Sequence, residues 1–399
     1  MSYQLIKKNK LKSSSWIIID LDHIFRRHYI GLKNYYIKNV FNDDFKNKDK
    51  SEIENYPWHT NNEFILELSK QIKNKITNLV TINKHIQNNH VILINNIIEA
   101  KNTDWVWRAS ILPDWIKKYN QEFYKYRNDP IWKIIFDLTL NKFFVERGYI
   151  HFCYQDTEVD DIIAIVVKLL EQTFPDDLIT IISQNSDFYQ LINDKIIVLN
   201  INGEEDTSRI LPSGEINLWF KIINGQRSNY TPSLKFNVEF LKNFLKNDYD
   251  ADFENDKLIK SSEDEHVSLY RELTKKELYV VLHKLKSFQE SLDSLNDVVK
   301  DNQLIINQQV IDFNYIPKTI VISVKKKFWL AYNKNNQNNQ LYNNFVNTKS
   351  KEPYGTKLFN NKILTNNHNI FSYLVVEDDE NDQNDNLSEE NELSDYENE

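Results

Sequence analysis

Glu158-Val-Asp-Asp161 stands at the head of the apolar run Ile162-Ile-Ala-Ile-Val-Val-Lys-Leu-Leu170, and further along comes Ser183-Gln-Asn-Ser-Asp187-Phe-Tyr-Gln-Leu191. The second stretch follows Leu178-Ile-Thr-Ile-Ile182, a run rich in β-branched residues that reads as a buried parallel strand. Near the N-terminus, Trp16-Ile-Ile-Ile-Asp20-Leu-Asp22 also carries carboxylates just past an apolar run. Ligands of a parallel α/β sheet bind beyond the carboxyl ends of its strands, so three acid-tipped strands predict one acidic pocket. Converging carboxylates repel unless a cation compensates, and hard divalent ions such as Mg²⁺ or Mn²⁺ take oxygen ligands. The chemistry that follows is metal-assisted phosphodiester hydrolysis.

Each piece alone has an ordinary reading. Asp20 is also a turn former or helix N-cap, and Asp160 and Asp161 also favour the positive end of the helix they open. Glu-x-Asp-Asp by itself is a weak motif. The order strand-Asp, then Glu-x-Asp-Asp-helix, then strand-Ser-x-x-x-Asp-x-x-Gln-Leu is much more specific.

Around these motifs, residues 14–205 alternate strand-like and helix-like runs, with strands expected at 16–20, 91–95, 150–153, 178–183 and 195–200. Residues 206–330 read as mainly helical, with Pro232–Leu245 as a plain amphipathic helix and an acidic, exposed insertion at 248–266. Residues 331–376 are Asn-rich and low in complexity, so a folded unit of their own is not expected there. Residues 377–399 hold twelve acids and no base, which predicts a disordered tail. That tail accounts for the net charge of −9: without it the chain has 49 bases against 46 acids. It serves as a solubilising segment or as a docking tail for a basic groove. The single cysteine, Cys153, excludes a disulfide framework and a Cys-rich zinc site, and reads as a small buried residue at a strand end. Neither a secretory signal nor a run of membrane-spanning length is present in the sequence, so a cytoplasmic or nuclear place is expected.

The motif order resembles the flap endonuclease and 5′-to-3′ exonuclease superfamily, in its phage- and large-virus-type members with a PIN-like domain. Asp20-Leu-Asp-His-Ile-Phe-Arg26-Arg27 looks like its first block, and Trp107-Arg108-Ala-Ser-Ile-Leu-Pro113-Asp-Trp-Ile-Lys117-Lys118 like its Arg…Pro…Tyr-Lys segment. Lys221-Ile-Ile-Asn-Gly225-Gln-Arg-Ser228-Asn-Tyr-Thr-Pro232 is similar to Lys-Ile-Ile-x-Gly-Asp-x-Ser-Asp-Asn-Ile-Pro. Asn307-Gln-Gln-Val-Ile-Asp312-Phe-Asn-Tyr-Ile-Pro317 looks like the phage-type Asn-x-x-Leu-Ile-Asp-Phe-x-x-Ile-Pro element. The resemblance implies a PIN-like parallel sheet flanked by helices over 1–205, and a helical DNA-binding subdomain over 206–330. It also implies a monomer acting on DNA flaps, 5′ ends or RNA–DNA primers in replication and repair.

Carried over residue by residue, the resemblance implies that Asp20, Glu158, Asp160 and Asp161 hold one Mg²⁺ or Mn²⁺. Asp187, with Asn185, would hold a second ion more weakly. Arg108 and Lys117 would stabilise the scissile phosphate, and Arg27, Arg108, Lys117, Lys118, Lys125 and Arg127 would grip nucleic acid. Trp115, Tyr119 and Tyr126, interleaved with these bases, read either as base-stacking rings or as a core stripe. The departures are as informative: Asn95, Asn185, Gln226 and Asn229 stand where the family has Asp. An amide oxygen ligates a cation but brings no charge. The usual Gly-x-Gly hairpin is also missing, since no glycine lies between Gly225 and Gly355. Two readings follow: a metal-dependent 5′-nuclease, or a nuclease-fold module that binds nucleic acid or a protein partner without cutting.

Overall fold

In the computed structural model the described residues are 14–40, 56–82, 90–95, 107–115, 129–155, 157–205, 210–226, 230–245, 270–294, 299 and 302–349. Five strands form one parallel sheet: β1 (Ser14–Asp20), β2 (His90–Asn95), β3 (Ile150–Cys153), β4 (Leu178–Ile182) and β5 (Ile196–Leu199), in the order β3-β2-β1-β4-β5. Each expected strand is found with its ends within two residues. The α/β class, a parallel sheet flanked by helices, is the one expected. Ile17, Ile18 and Ile19 are wholly buried, because a parallel sheet covered on both faces selects continuous apolar runs rather than alternation.

The helices are α1 (Leu21–Tyr35), α2 (Asn62–Ile82), α3 (Ile131–Ile135), α4 (Asn141–Arg147), α5 (Val159–Thr173), α6 (Gly214–Asn224), α7 (Val238–Leu245), α8 (Lys275–His283), α9 (Leu285–Ser294), α10 (Gln303–Ile311) and α11 (Lys318–Lys349). One core joins the sheet to α1–α4 through Phe25, Tyr29, Trp58, Phe64, Trp132 and Phe136. Burying side chains of this kind contributes about 1.5–3 kcal/mol each. A second core holds α6–α10 together through Ile222, Phe236, Leu241, Val281 and Phe288, and Trp115 belongs to it. Of the two readings of the Trp115 ring, the structure gives it the core position, at 3% exposure.

The chain divides into two compact units, Met1–Phe328 and Trp329–Glu399. The border expected at 205/206 falls inside the first. Helix α11 starts in the first unit, where Val324 and Phe328 are buried, and continues through the first part of the Asn-rich stretch to Lys349. Residues 1–13, the insertion at 248–266 and the acidic tail lie outside the described residues.

Two local expectations are corrected. The helix expected over Pro232–Leu245 begins only at Val238, after a short strand β6 (Phe236–Asn237) that pairs antiparallel with β7 (Tyr270–Arg271). Pairing holds Phe236 in the core, and the Asn237 side chain caps the helix by accepting from the amides of Glu239 and Phe240. Cys153 sits at the end of β3 as expected but is only partly buried, because it occupies an outward position of the alternating Ile150–Cys153 pattern.

The strand order places the site. From β1 the chain runs outward to β2 and β3, then returns to β4 on the other side of β1. The reversal leaves a crevice between β1 and β4 at their carboxyl ends, where such sheets bind ligands.

Candidate active site

Asp20 closes β1, and the loop after β4 begins at Ser183, so both lie at the switch point. Ser183 Oγ donates to Asp20 Oδ2 at 2.7 Å, and Asp20 Oδ1 accepts the His23 amide at 3.1 Å. Asp20 is thus the N-cap of α1 and part of the crevice at once; the two readings of this residue do not compete. The Ser183 hydroxyl also accepts the Asn185 amide at 3.0 Å. The Asn185 side chain then faces two ways: its nitrogen donates to Asp160 Oδ2 at 2.8 Å, and its oxygen accepts the Asp187 amide at 2.9 Å. Asp20, Asp160 and Asp187 are joined in one hydrogen-bonded chain through Ser183 and Asn185.

Asp160 is there because α5 starts just past β3, at the same edge of the sheet. Glu158 precedes the first turn of that helix and Asp161 follows Asp160 within it. Consecutive positions on a helix point in different directions, and Asp161 turns inward. It is wholly buried, and its carboxylate receives Arg108 through both terminal nitrogens (2.7 and 3.0 Å), Trp107 Nε1 (2.8 Å) and the Thr157 hydroxyl. That is the environment of a structural anchor, and it differs from the metal ligand that the motif implies.

Arg108 is the centre of this arrangement. It is 3% exposed, donates from Nε to the Val310 carbonyl at 2.7 Å, and pairs with Glu158 at 2.7 Å as well as with Asp161. The Trp107 ring lies 4.3 Å beneath its guanidinium. Arg108, expected to contact the phosphate, is a buried cation between two acids that also lines the pocket. Burial is tolerable because a planar fork with five donors matches two carboxylates and a carbonyl.

The third acid with a protein cation is Asp187. Lys221, on α6 and 7% exposed, donates to Asp187 Oδ1 and to Ser186 Oγ (2.8 Å), while the Gln226 side-chain nitrogen donates to the same Asp187 oxygen. Gln226 reaches it because Gly225 turns the chain with φ +67°, and Gln226 and Thr231 exchange backbone hydrogen bonds of 2.8 and 3.0 Å. A Cβ at Gly225 would stand 2.4 Å from the Thr231 oxygen. That explains the glycine of the Lys-Ile-Ile-x-Gly block.

The Asn307…Pro317 element builds the back wall. Asn307 is wholly buried and donates to the carbonyls of Ile222 (2.8 Å) and Pro232 (2.9 Å), tying α10 to α6 and to the Gly225 turn. Gln190 donates to the Ile311 carbonyl and accepts the Phe313 amide, both at 3.1 Å. This gives the Gln of Ser-x-x-x-Asp-x-x-Gln-Leu a mechanical task. The resulting pocket is lined by Arg108, Trp115, Glu158, Asp160, Asp187, Gln226, Val310, Ile311 and Phe313. Asn95, wholly buried at the end of β2, pairs with the His151 ring at 2.9 Å; burial pushes that imidazole down to about 4, so it is neutral.

The expected residues divide accordingly. Glu158, Asp160, Asp187 and Arg108 share the pocket, Asp20 and Asn185 join it by hydrogen bonds, and Asp161 lies behind it. Arg27 is exposed on α1 and is not among the lining residues. Lys117, Lys118, Lys125, Arg127, Tyr119, Tyr126 and Asn229 lie outside the described residues. Lys221, Thr157, Trp107, Gln190 and Asn307 are not marked as site residues by sequence motifs for metal chemistry. Of these, Lys221, Trp107, Gln190 and Asn307 were within reach, each falling inside a stretch that resembles the nuclease family.

Do these residues fit divalent ions? Asp20, Glu158 and Asp160 are hard oxygen donors at one edge, the donor type that Mg²⁺ or Mn²⁺ takes. As they stand, no three His, Cys, Asp or Glu side chains among the described residues are arranged to hold an ion, and Glu158 is drawn to Arg108. The oxygen donors of Asp20, Glu158 and Asp160 suit one ion in chemistry, with Glu158 engaged by Arg108 in this structure. A second ion does not fit: beside Asp187 stand an ammonium and two side-chain amides.

No protein-family model and no curated protein matches this sequence. Among solved structures, the fold is similar to the bacteriophage T5 flap endonuclease in a pseudo-enzyme-product complex with DNA and metal ions (13% identity, TM-score 0.40). It is likewise similar to T5 5′-exonuclease with bound zinc (14% identity, TM-score 0.41). Each match covers 79% of this chain and 98% of the other.

Proposed function

We propose that this protein is a nuclease of the 5′-exonuclease and flap-endonuclease type, acting on DNA at an end, a flap or an RNA–DNA primer with one divalent ion. The observation that carries this reading is the hydrogen-bonded chain Asp20–Ser183–Asn185–Asp160 at the switch point of a parallel sheet, beside a pocket shared by Glu158, Asp187 and Arg108. Asp20, Glu158 and Asp160 would hold Mg²⁺ or Mn²⁺. When bound, such an ion lowers the pKa of its water and neutralises charge on a scissile phosphate.

The chain's own residues do the rest. Asn185 fixes Asp160 and Ser183 fixes Asp20, so both carboxylates are oriented before substrate arrives. Arg108 lines the pocket and would be the guanidinium that meets a phosphate oxygen there. Lys117, Lys118, Lys125, Arg127 and Arg27 supply sequence-independent grip on the backbone. The protein works as a monomer inside the cell, in cytoplasm, nucleus or a viral replication site, and its acidic tail docks a basic partner.

A second reading, a non-cutting module that binds nucleic acid, is favoured by one observation: Arg108 and Lys221 already pair with Glu158, Asp161 and Asp187. A 5′-flap duplex titrated with Mn²⁺ separates the two. Cleavage by the native chain that Asp160→Asn abolishes supports the nuclease. Absence of cleavage, with DNA affinity that falls steeply with salt, leaves the binding module. Affinity indifferent to salt removes nucleic acid as the partner.

A further inference from the structure

We propose that Lys221 is a resident cation in the place of a second divalent ion, so that this centre takes up one metal fewer than its set of acids suggests. This rests on the reading of the same edge as a phosphodiesterase centre. Its ground is the environment of Asp187. One oxygen of that carboxylate receives both the Lys221 ammonium and the Gln226 amide nitrogen. Both are donors only, and an ammonium has no lone pair to offer a metal. A cation approaching that oxygen meets positive charge and N–H hydrogens instead of ligands.

Lys221 is not a surface side chain that happens to reach inward. Its residue is 7% exposed, its ammonium also donates to Ser186 at 2.8 Å, and the helix that carries it is tied down by the Asn307 bond to the Ile222 carbonyl. Moving the ammonium away would take from the half-buried Asp187 the cation that its Oδ1 holds, which is unfavourable. Gln226 is held equally firmly by its backbone pairing with Thr231. The cation and the amide act together. Gln226 in place of an acid removes the negative charge that would recruit an ion, and Lys221 supplies the positive charge that makes the ion unnecessary. One unit charge balances Asp187, and no Lewis acid is added on that side of the pocket.

The test compares bound Mn²⁺ per full-length chain, read from the spin-resonance signal of free Mn²⁺ and by calorimetric titration. The proteins are the native chain, Lys221→Met/Gln226→Asp, Lys221→Gln and Lys221→Arg. The double variant should take up one Mn²⁺ more than the native chain, and its Tm should rise with Mn²⁺ by more than the native Tm does. Lys221→Arg keeps the charge and should gain none. Should the double variant fold only with metal present, refolding that depends on Mn²⁺ is itself the gain, and Lys221→Gln gives the count. An equal count in native and charge-removed chains overturns the proposal. The native count tests the underlying reading separately. None in the native chain and one in the variant would sink the one-ion nuclease and sustain Lys221 as the resident cation, whereas one in both would do the reverse.

Discussion

Asn185 donates from its side-chain nitrogen to Asp160 at 2.8 Å, and so ties the loop after β4 to the first turn of α5. An aspartate there could not donate. The amide, which looks from sequence like a lost ligand, is what holds the remaining carboxylate in place without metal.

Asn185→Asp should therefore keep the cap on the Asp187 amide, which uses the side-chain oxygen, and lose only the bond to Asp160. Two carboxylates then face each other at a partly buried position, and the metal-free protein should lose about 1 kcal/mol, the net worth of one hydrogen bond. Mn²⁺ should restore most of that loss. Urea unfolding with and without Mn²⁺ reads it; equal stability in both conditions would show that no ion enters there.

Arg108→Met should be among the most damaging substitutions in the chain. It strands Glu158 and the wholly buried Asp161, and breaking a buried pair in this way costs about 3–5 kcal/mol. Adding Asp161→Asn should recover part of the loss. A double variant as unstable as the sum of the singles would mean that Asp161 is not the partner that matters.

Gly225→Ala probes the turn that delivers Gln226. At φ +67°, with a Cβ 2.4 Å from the Thr231 oxygen, alanine should cost about 1–3 kcal/mol in strain alone. A Tm equal to that of the native chain would contradict the turn geometry.

Acid should destabilise the fold through His151. Its folded pKa of about 4 lies below the ordinary 6.5 because the ring is buried, here against Phe136 and Phe144. Between these values the unfolded chain binds the extra proton, so stability is complete above pH ~6.5 and falls towards pH ~4, by at most about 1.4 kcal/mol per pH unit. Burial lowers His28 and His90 as well, which adds to the slope in the same sense. His151→Gln retains a donor for Asn95 and should flatten the slope without abolishing it. Denaturant midpoints at pH 7 and pH 5 measure the difference.

Much of this architecture was open to a reader of the sequence. The runs expected as strands at 16–20, 91–95, 178–183 and 195–200 are rich in β-branched residues because both faces of their sheet are covered, and such runs show without any structure. With the strands parallel, Asp20, Asp160 and Asp187 had to gather near one edge. What only the tertiary structure decided was how the charges there are shared. Arg108 meets Asp161 across 53 residues and Val310 across 202, and Lys221 meets Asp187 across 34. Such pairings leave no periodicity in the chain, since they depend on how α5, α6 and α10 dock at the end of the sheet. Spacing along the sequence determined which acids stand at the site; only packing in three dimensions decided which of them carry a protein cation, because electrostatic partners are chosen by distance in space and by burial.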